Sequence, residues 1–176
     1  ERVPAQIARF HQLDEAATAL EEAIRRHQAL LSKNPLDAEV RRRLAVSHTY
    51  LANVQLDRKQ PDLAIQSYER AIDQLDALAT ADPRNARIRT ELSYMLNQRV
   101  RILMANGRRD EARRDAERAF ALLRAGTEQA GAGGEAFNEY AWALVSTDVE
   151  DIRNPGLALE YARRALARAG SPNAVY

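Results

Sequence analysis

An all-α chain of paired antiparallel helices follows from three features of the sequence. Strong helix formers dominate its composition, glycine and proline are confined to isolated points, and it carries an internal repeat. Alanine, leucine, arginine and glutamate are the commonest residues and have good helix propensity. Glycine is missing until Gly107, and runs of alternating β-branched residues are lacking, so no strand pattern competes. The repeat weighs most. Ala16, Ala64 and Ala112 stand 48 residues apart, as do Ala23, Ala71 and Ala119, then Asp14, Asp62 and Asp110, then Ile24, Ile72 and Phe120. Pro35 and Pro83 keep the interval, and so do Leu44 and Leu92. Independent columns sharing one interval mark a stacked-repeat architecture.

Each unit reads as two helices. In the unit over 35–82 the first helix spans Asp37 to Arg58, with Val40, Leu44, Leu51 and Val54 at helical spacings. Lys59-Gln60-Pro61-Asp62 interrupts it. Proline suits a helix start because its missing N–H would be unpaired there, and Asp62 meets the positive end of the helix dipole. The second helix runs from Asp62 to about Thr80 and gathers Leu63, Ala64, Tyr68, Ala71, Ile72, Leu75 and Leu78 on one apolar side. Ala81-Asp82-Pro83 ends it, since the residue before proline disfavours helical backbone. The unit over 83–130 repeats the plan, with Asn106-Gly107 as its turn and Gly107 as a left-handed cap.

The ends of the chain are less regular. Residues 1–11 read as the tail of a truncated helix, giving a partial unit over 1–34. In the unit over 131–171, Gly126 to Gly134 reads as a flexible linker. A helix from Glu135 to Val145 follows, then an ordered loop from Ser146 to Asn154, then a helix from Pro155 to Ala169. Together these form a single repeat domain over 1–176, about three and a half helix pairs. The alanines have a mechanical reason: antiparallel helices need small side chains where their axes come closest. One pair cannot bury its apolar face alone, so neighbouring pairs stack.

Composition excludes several functions. The 176 residues are 29% charged yet carry a formal net charge of only +1, which argues against a dedicated nucleic-acid binder. Cysteine is absent, so disulfides and thiolate metal sites are ruled out. That fits a reducing compartment, and a cytoplasmic location is expected. No apolar run could span a membrane, and no signal peptide opens the chain. Glu1 stands where Met would, which predicts a fragment or a processed chain.

No catalytic constellation emerges. His11, His27 and His48 lack metal-protease spacing and read as surface or interhelix histidines. Gly131, Gly133 and Gly134 form no phosphate loop, because no Gly-Lys-Ser/Thr follows. Arg41 to Arg43, and Arg108, Arg109, Arg113 and Arg114, form basic runs. Around the second run Asp110, Glu111, Asp115 and Glu117 are interleaved, and opposite charges three or four apart pair on a helix surface. The expectation is no enzyme, no catalytic residue, no cofactor and no metal. Of the aromatics at helical spacings, Tyr50, Tyr68, Tyr94, Phe120, Phe137 and Tyr140 are mostly expected in the core. Trp142, the single tryptophan, differs by lying beside the Ser146 loop.

Ala64-x3-Tyr68-x2-Ala71 followed by Pro83 resembles the second helix of a tetratricopeptide repeat, A-x3-F-x2-A with a later proline. Ala16-x3-Leu20-x2-Ala23, Ala112-x3-Ala116-x2-Ala119 and Ala158-x3-Ala162-x2-Ala165 are weaker copies, so the resemblance covers nearly the whole chain. The family unit has about 34 residues; the extra length here, placed half in each helix, adds about two turns to each. His48 and Ala52 stand where the first-helix tryptophan and glycine of the family would fall. The run Asn138-Glu139-Tyr140-Ala141-Trp142-Ala143-Leu144, and Arg153-Asn154-Pro155 with Leu157-Ala158, are similar to the end of repeat arrays attached to bacterial serine/threonine kinases. Ala81-Asp82-Pro83-Arg84-Asn85-Ala86 has the DP-x-N-A form found there, and Ser171-Pro172-Asn173-Ala174 echoes it, which predicts a further unit.

The resemblance implies a right-handed superhelical solenoid whose first helices line a concave surface for protein or peptide partners. Carried over position by position, the groove residues are Thr49 and Asn53, Asn97 and Arg101, then Asn138 and Trp142. Asparagines bond peptide backbone in both directions, arginine grips carboxylates, and tryptophan anchors apolar side chains. The expected partner segment is polar and partly acidic; neither nucleic acid nor membrane is expected. The alternative is a structural spacer or self-association module, with exposed end helices forming a homodimer.

Overall fold

The computed structural model describes residues 2–169, with side chains from His11 onward. Among the described residues the backbone forms seven α-helices and one short 3₁₀ turn, with no strand. They are α1 (Arg2–Lys33), α2 (Ala38–Asp57), α3 (Pro61–Ala81), α4 (Ala86–Ala105), α5 (Arg109–Thr127), α6 (Gly134–Ser146) and α7 (Pro155–Ala169), with the 3₁₀ turn at Glu150–Ile152. Successive helices pack as pairs: α2 on α3, α4 on α5 and α6 on α7, with α1 also on α2 and α5 on α6. The chain clusters into two compact units, Glu1–Ala81 with α1 to α3 and Asp82–Tyr176 with α4 to α7.

Local sequence sets the helix ends. Asp37 caps α2 by accepting a hydrogen bond from the Val40 N–H at 2.9 Å, and Asn85 caps α4 in the same way from Ile88 at 3.2 Å. Each satisfies one of the donors that a helix start leaves unpaired. Both first helices end alike. The Lys59 N–H bonds the Leu56 carbonyl and Gln60 bonds Gln55; Gly107 bonds Met104 and Arg108 bonds Leu103. This paired reach-back closes a helix through one left-handed residue: Gly107 at φ 73° and Lys59 at φ 60°. Glycine adopts that backbone freely, whereas a lysine is strained there.

The recurring alanines are buried. On α3, Ala64, Tyr68, Ala71 and Leu75 are sealed from solvent; on α5, Ala112, Ala116, Ala119 and Leu123 hold the same offsets. Ala158 and Ala165 are buried on α7. In α1 the buried stripe is one residue further on, through Ala17 and Ile24, which pack with Leu44 and Leu51 of α2. Ala16 and Ala23 are only half-buried. Polar contacts tie the pairs. Tyr68 Oη donates to Asn53 Oδ1 at 2.8 Å, and Ser67 Oγ to Gln55 Oε1 at 2.7 Å. Arg99 grips Asp115 with two bonds of 2.6 and 2.7 Å in a largely buried setting. Phe137, Tyr140 and Tyr161 form an edge-and-stack cluster between α6 and α7, with the Arg164 and Arg168 guanidinium groups over Phe137. Gly134 begins α6 so close to α7 that a Cβ there would lie 2.8 Å from the Ala165 carbonyl oxygen.

Three expectations change. Helix α1 runs unbroken from Arg2, so no turn separates residues 2–11 from the stretch bearing Ala16 and Ala23. Helix α5 continues through Gly126 and Thr127, both buried, because the Arg89 side chain packs over Gly126; only residues 128–133 link it to α6. Tyr50 and Tyr94 are more than half exposed rather than in the core. The pairing of the basic runs agrees with the interleaved charges: Arg43 pairs with Glu39, Arg108 with Glu111 and Arg113 with Glu117, each three or four residues apart, while Arg113 also meets Asp151 and Arg41 donates to Gln74 and to the Pro35 carbonyl. The echo at Ser171 to Ala174 lies outside the described residues.

His48 is 3% exposed and its Nδ1 has no hydrogen-bond partner. Burial, with Arg70 nearby, lowers its pKa to about 4. The unfolded chain therefore takes up this proton first, near the ordinary value of about 6.5, and stability falls as pH drops from there toward 4. We expect wild type to lose up to about 3 kcal/mol more than His48→Leu across that window in urea titrations; parallel losses would contradict it. Ala112→Leu should cost about 1–3 kcal/mol, because a fully enclosed methyl leaves no room for the larger side chain. An unchanged urea midpoint would refute close packing at that position.

Candidate functional site

Helix α5 keeps α4 and α6 apart within the second unit, and the space between those two first helices is a cleft of about 540 Å³. Leu123 of α5 contributes to its lining. From α4 come Thr90, Tyr94, Asn97 and Arg101, each three or four residues from the last and so on one face. Helix α6 contributes Glu139, Trp142, Ala143 and Ser146 at the same kind of spacing, and Thr147 and Asp148 close one end.

Three of the six groove residues read from the sequence meet here: Asn97, Arg101 and Trp142. Asn97 is half-buried and its amide bonds no other described residue. Trp142 is 70% exposed, an unusual state for so large an apolar surface, and Tyr94 is 55% exposed. Asn138 is exposed and is not part of the cleft lining, since one residue along a helix rotates the side chain by about 100°. Thr49 and Asn53 belong to the first unit. Thr49 bonds back to the Ala45 carbonyl at 2.9 Å, and Asn53 accepts from Tyr68.

Sequence reasoning passed over Glu139, Tyr94 and Asp148. Glu139 had a signal, since it sits three residues before Trp142. It is half-buried and accepts a 3.2 Å hydrogen bond from Thr90 Oγ1, bridging α4 and α6. Burial pushes its carboxyl above the usual carboxylate range and Glu135 adds to this; the Thr90 bond and the charge of Arg89 pull the other way. Arg101 is opposed by Asp148 at 3.9 Å. The lining thus holds one cation against two carboxylates, a balance that does not favour the acidic partner expected from Arg101 alone.

Beyond the Glu139–Thr90 bridge a second cleft of about 470 Å³ lies among Arg89, Gly126, Gln129, Gly131, Gly133 and Glu135. Arg89 is 9% exposed, its Nη1 lacks a partner and its Nη2 reaches Gln129 Oε1 at only 3.4 Å. Among the described residues no group of three or more histidines or carboxylates is arranged to hold a metal ion. No described helix is long and apolar enough to cross a membrane.

No protein-family model matches the chain, and no curated protein matches it. Among solved structures, a crystal structure of MamA is similar at 17% sequence identity and a TM-score of 0.29, over 85% of this chain and 88% of its own. The helix pairs and their buried alanine columns, not that likeness, carry the assignment to an all-α helical-repeat fold.

Proposed function

We propose that the chain is a protein-interaction module that holds a peptide segment of a partner in the cleft between α4 and α6. The observation that carries this reading is Trp142, left 70% exposed beside an unpaired Asn97 amide in a cleft open to solvent. Tryptophan is enriched among residues that anchor interfaces, and an asparagine amide serves both the N–H and the C=O of a peptide backbone. Asn138 would extend the contact along α6, and Thr49 and Asn53 are the corresponding first-helix positions of the other unit, offered for a contact of its own. The DP-x-N-A run at Asp82 to Ala86, and its resemblance to kinase-attached arrays, support a place within a larger bacterial signalling protein.

A spacer or self-association role is the second reading. It is favoured by Leu159 and Leu166, two turns apart on α7 and 53% and 74% exposed. Sedimentation over a concentration series separates the two, because only self-association raises the mass with concentration.

A random dodecapeptide library panned against the 176-residue chain should yield binders whose affinity falls about tenfold or more in Trp142→Ala, as for an interface hot spot. Asn97→Ala should also weaken them, and thermal melting should not change in either variant. Equal affinity in wild type and both variants would reject the cleft.

A further inference from the structure

On the reading that this cleft holds a peptide, we infer that it selects a segment carrying a lysine or arginine, and that Glu139 and the exposed faces of Trp142 and Tyr94 receive that cation. Four observations converge. Glu139 is half-buried in the cleft wall, its hydrogen-bond partner is the neutral Thr90 hydroxyl, and no described arginine forms an ion pair with it. The nearest buried cation, Arg89, lies over Gly126 and acts on Glu139 through its charge without forming an ion pair with it. Arg101, the one basic group in the lining, already faces Asp148. Two exposed aromatic rings stand in the same cleft, and a ring face attracts a cation.

Together these form a receptor for a positive group on an otherwise apolar or polar segment. A carboxylate loses its hydration when a peptide covers it, and a cation from the partner replaces what water supplied. An acidic side chain in its place would meet Glu139 and Asp148 as like charges, and only Arg101, shared with Asp148, would attract it. Specificity would therefore come from rejection of acidic segments as much as from attraction of basic ones.

Trp142 is the only tryptophan, so its emission reports occupation of the cleft directly. The test takes the tightest peptides from the library and follows Trp142 emission on titration. Each peptide is compared with forms in which its basic residue is replaced by citrulline, by norleucine or by glutamate. Citrulline keeps the shape of arginine without its charge. Selected peptides should share a basic position; citrulline should weaken binding about tenfold, and glutamate more. Glu139→Gln keeps an acceptor for Thr90, and in it the arginine-to-citrulline ratio should fall below about threefold.

Peptides that bind through Trp142 with no basic position, or that bind wild type equally as arginine and citrulline forms, overturn the cation receptor and leave peptide binding standing. Failure of any peptide to bind overturns both. The citrulline comparison on wild type needs no variant, so it holds whatever the stability of Glu139→Gln.

Discussion

Where α3 meets α2, and where α5 lies against α4 and α6, many of the buried side chains are little larger than a methyl group. Ala64, Ala71, Ala112, Ala116 and Ala119 are all fully enclosed. Small residues at these points let helix axes approach, and interior packing leaves no slack for a larger group. The longer side chains are then placed around that seam: Leu75 and Tyr68 on α3, Leu123 on α5, Leu92, Leu96 and Leu103 on α4. Because α5 is so slender along its buried stripe, it packs against both α4 and α6, and the opening between those two helices follows from its position.

The polar contacts depend on the same seam. The Arg99–Asp115 pair is screened from water because it lies across the close α4–α5 approach. A buried ion pair of this kind is weak support for net stability, since both groups lose hydration. Its stronger effect is to penalise any register of α4 on α5 that would leave either charge alone. The α2–α3 pair uses neutral bonds instead, from Ser67 to Gln55 and from Tyr68 to Asn53.

The helices were legible from local chemistry. Asp37 announces a start, Asn106-Gly107 an end, and the spacing of Ala64, Tyr68 and Ala71 identifies the buried face before any neighbour is known. Where reading failed, the deciding contact came from elsewhere in the chain. Gly126 looked like linker because glycine disfavours helix, yet Arg89 from α4 covers it and carries α5 onward. The site was half legible. Asn97, Arg101 and Trp142 could be placed by helix position, whereas Asn138 sits one residue out of phase with the α6 face that Glu139 and Trp142 share. Tyr94 looked like core because an aromatic at helical spacing usually is; its exposure comes from the gap between α4 and α6, which periodicity along one helix does not encode.

The tight crossing at Gly134 makes that position a fulcrum. Any side chain there would push on the Ala165 carbonyl and tip the end of α7 outward. Arg168, which also donates to the Ala132 carbonyl at 3.1 Å, would be drawn off both that loop and the Phe137 ring. One missing methyl thus fixes the tilt of the last helix and, with it, the seating of α6, whose opposite face carries Glu139 and Trp142.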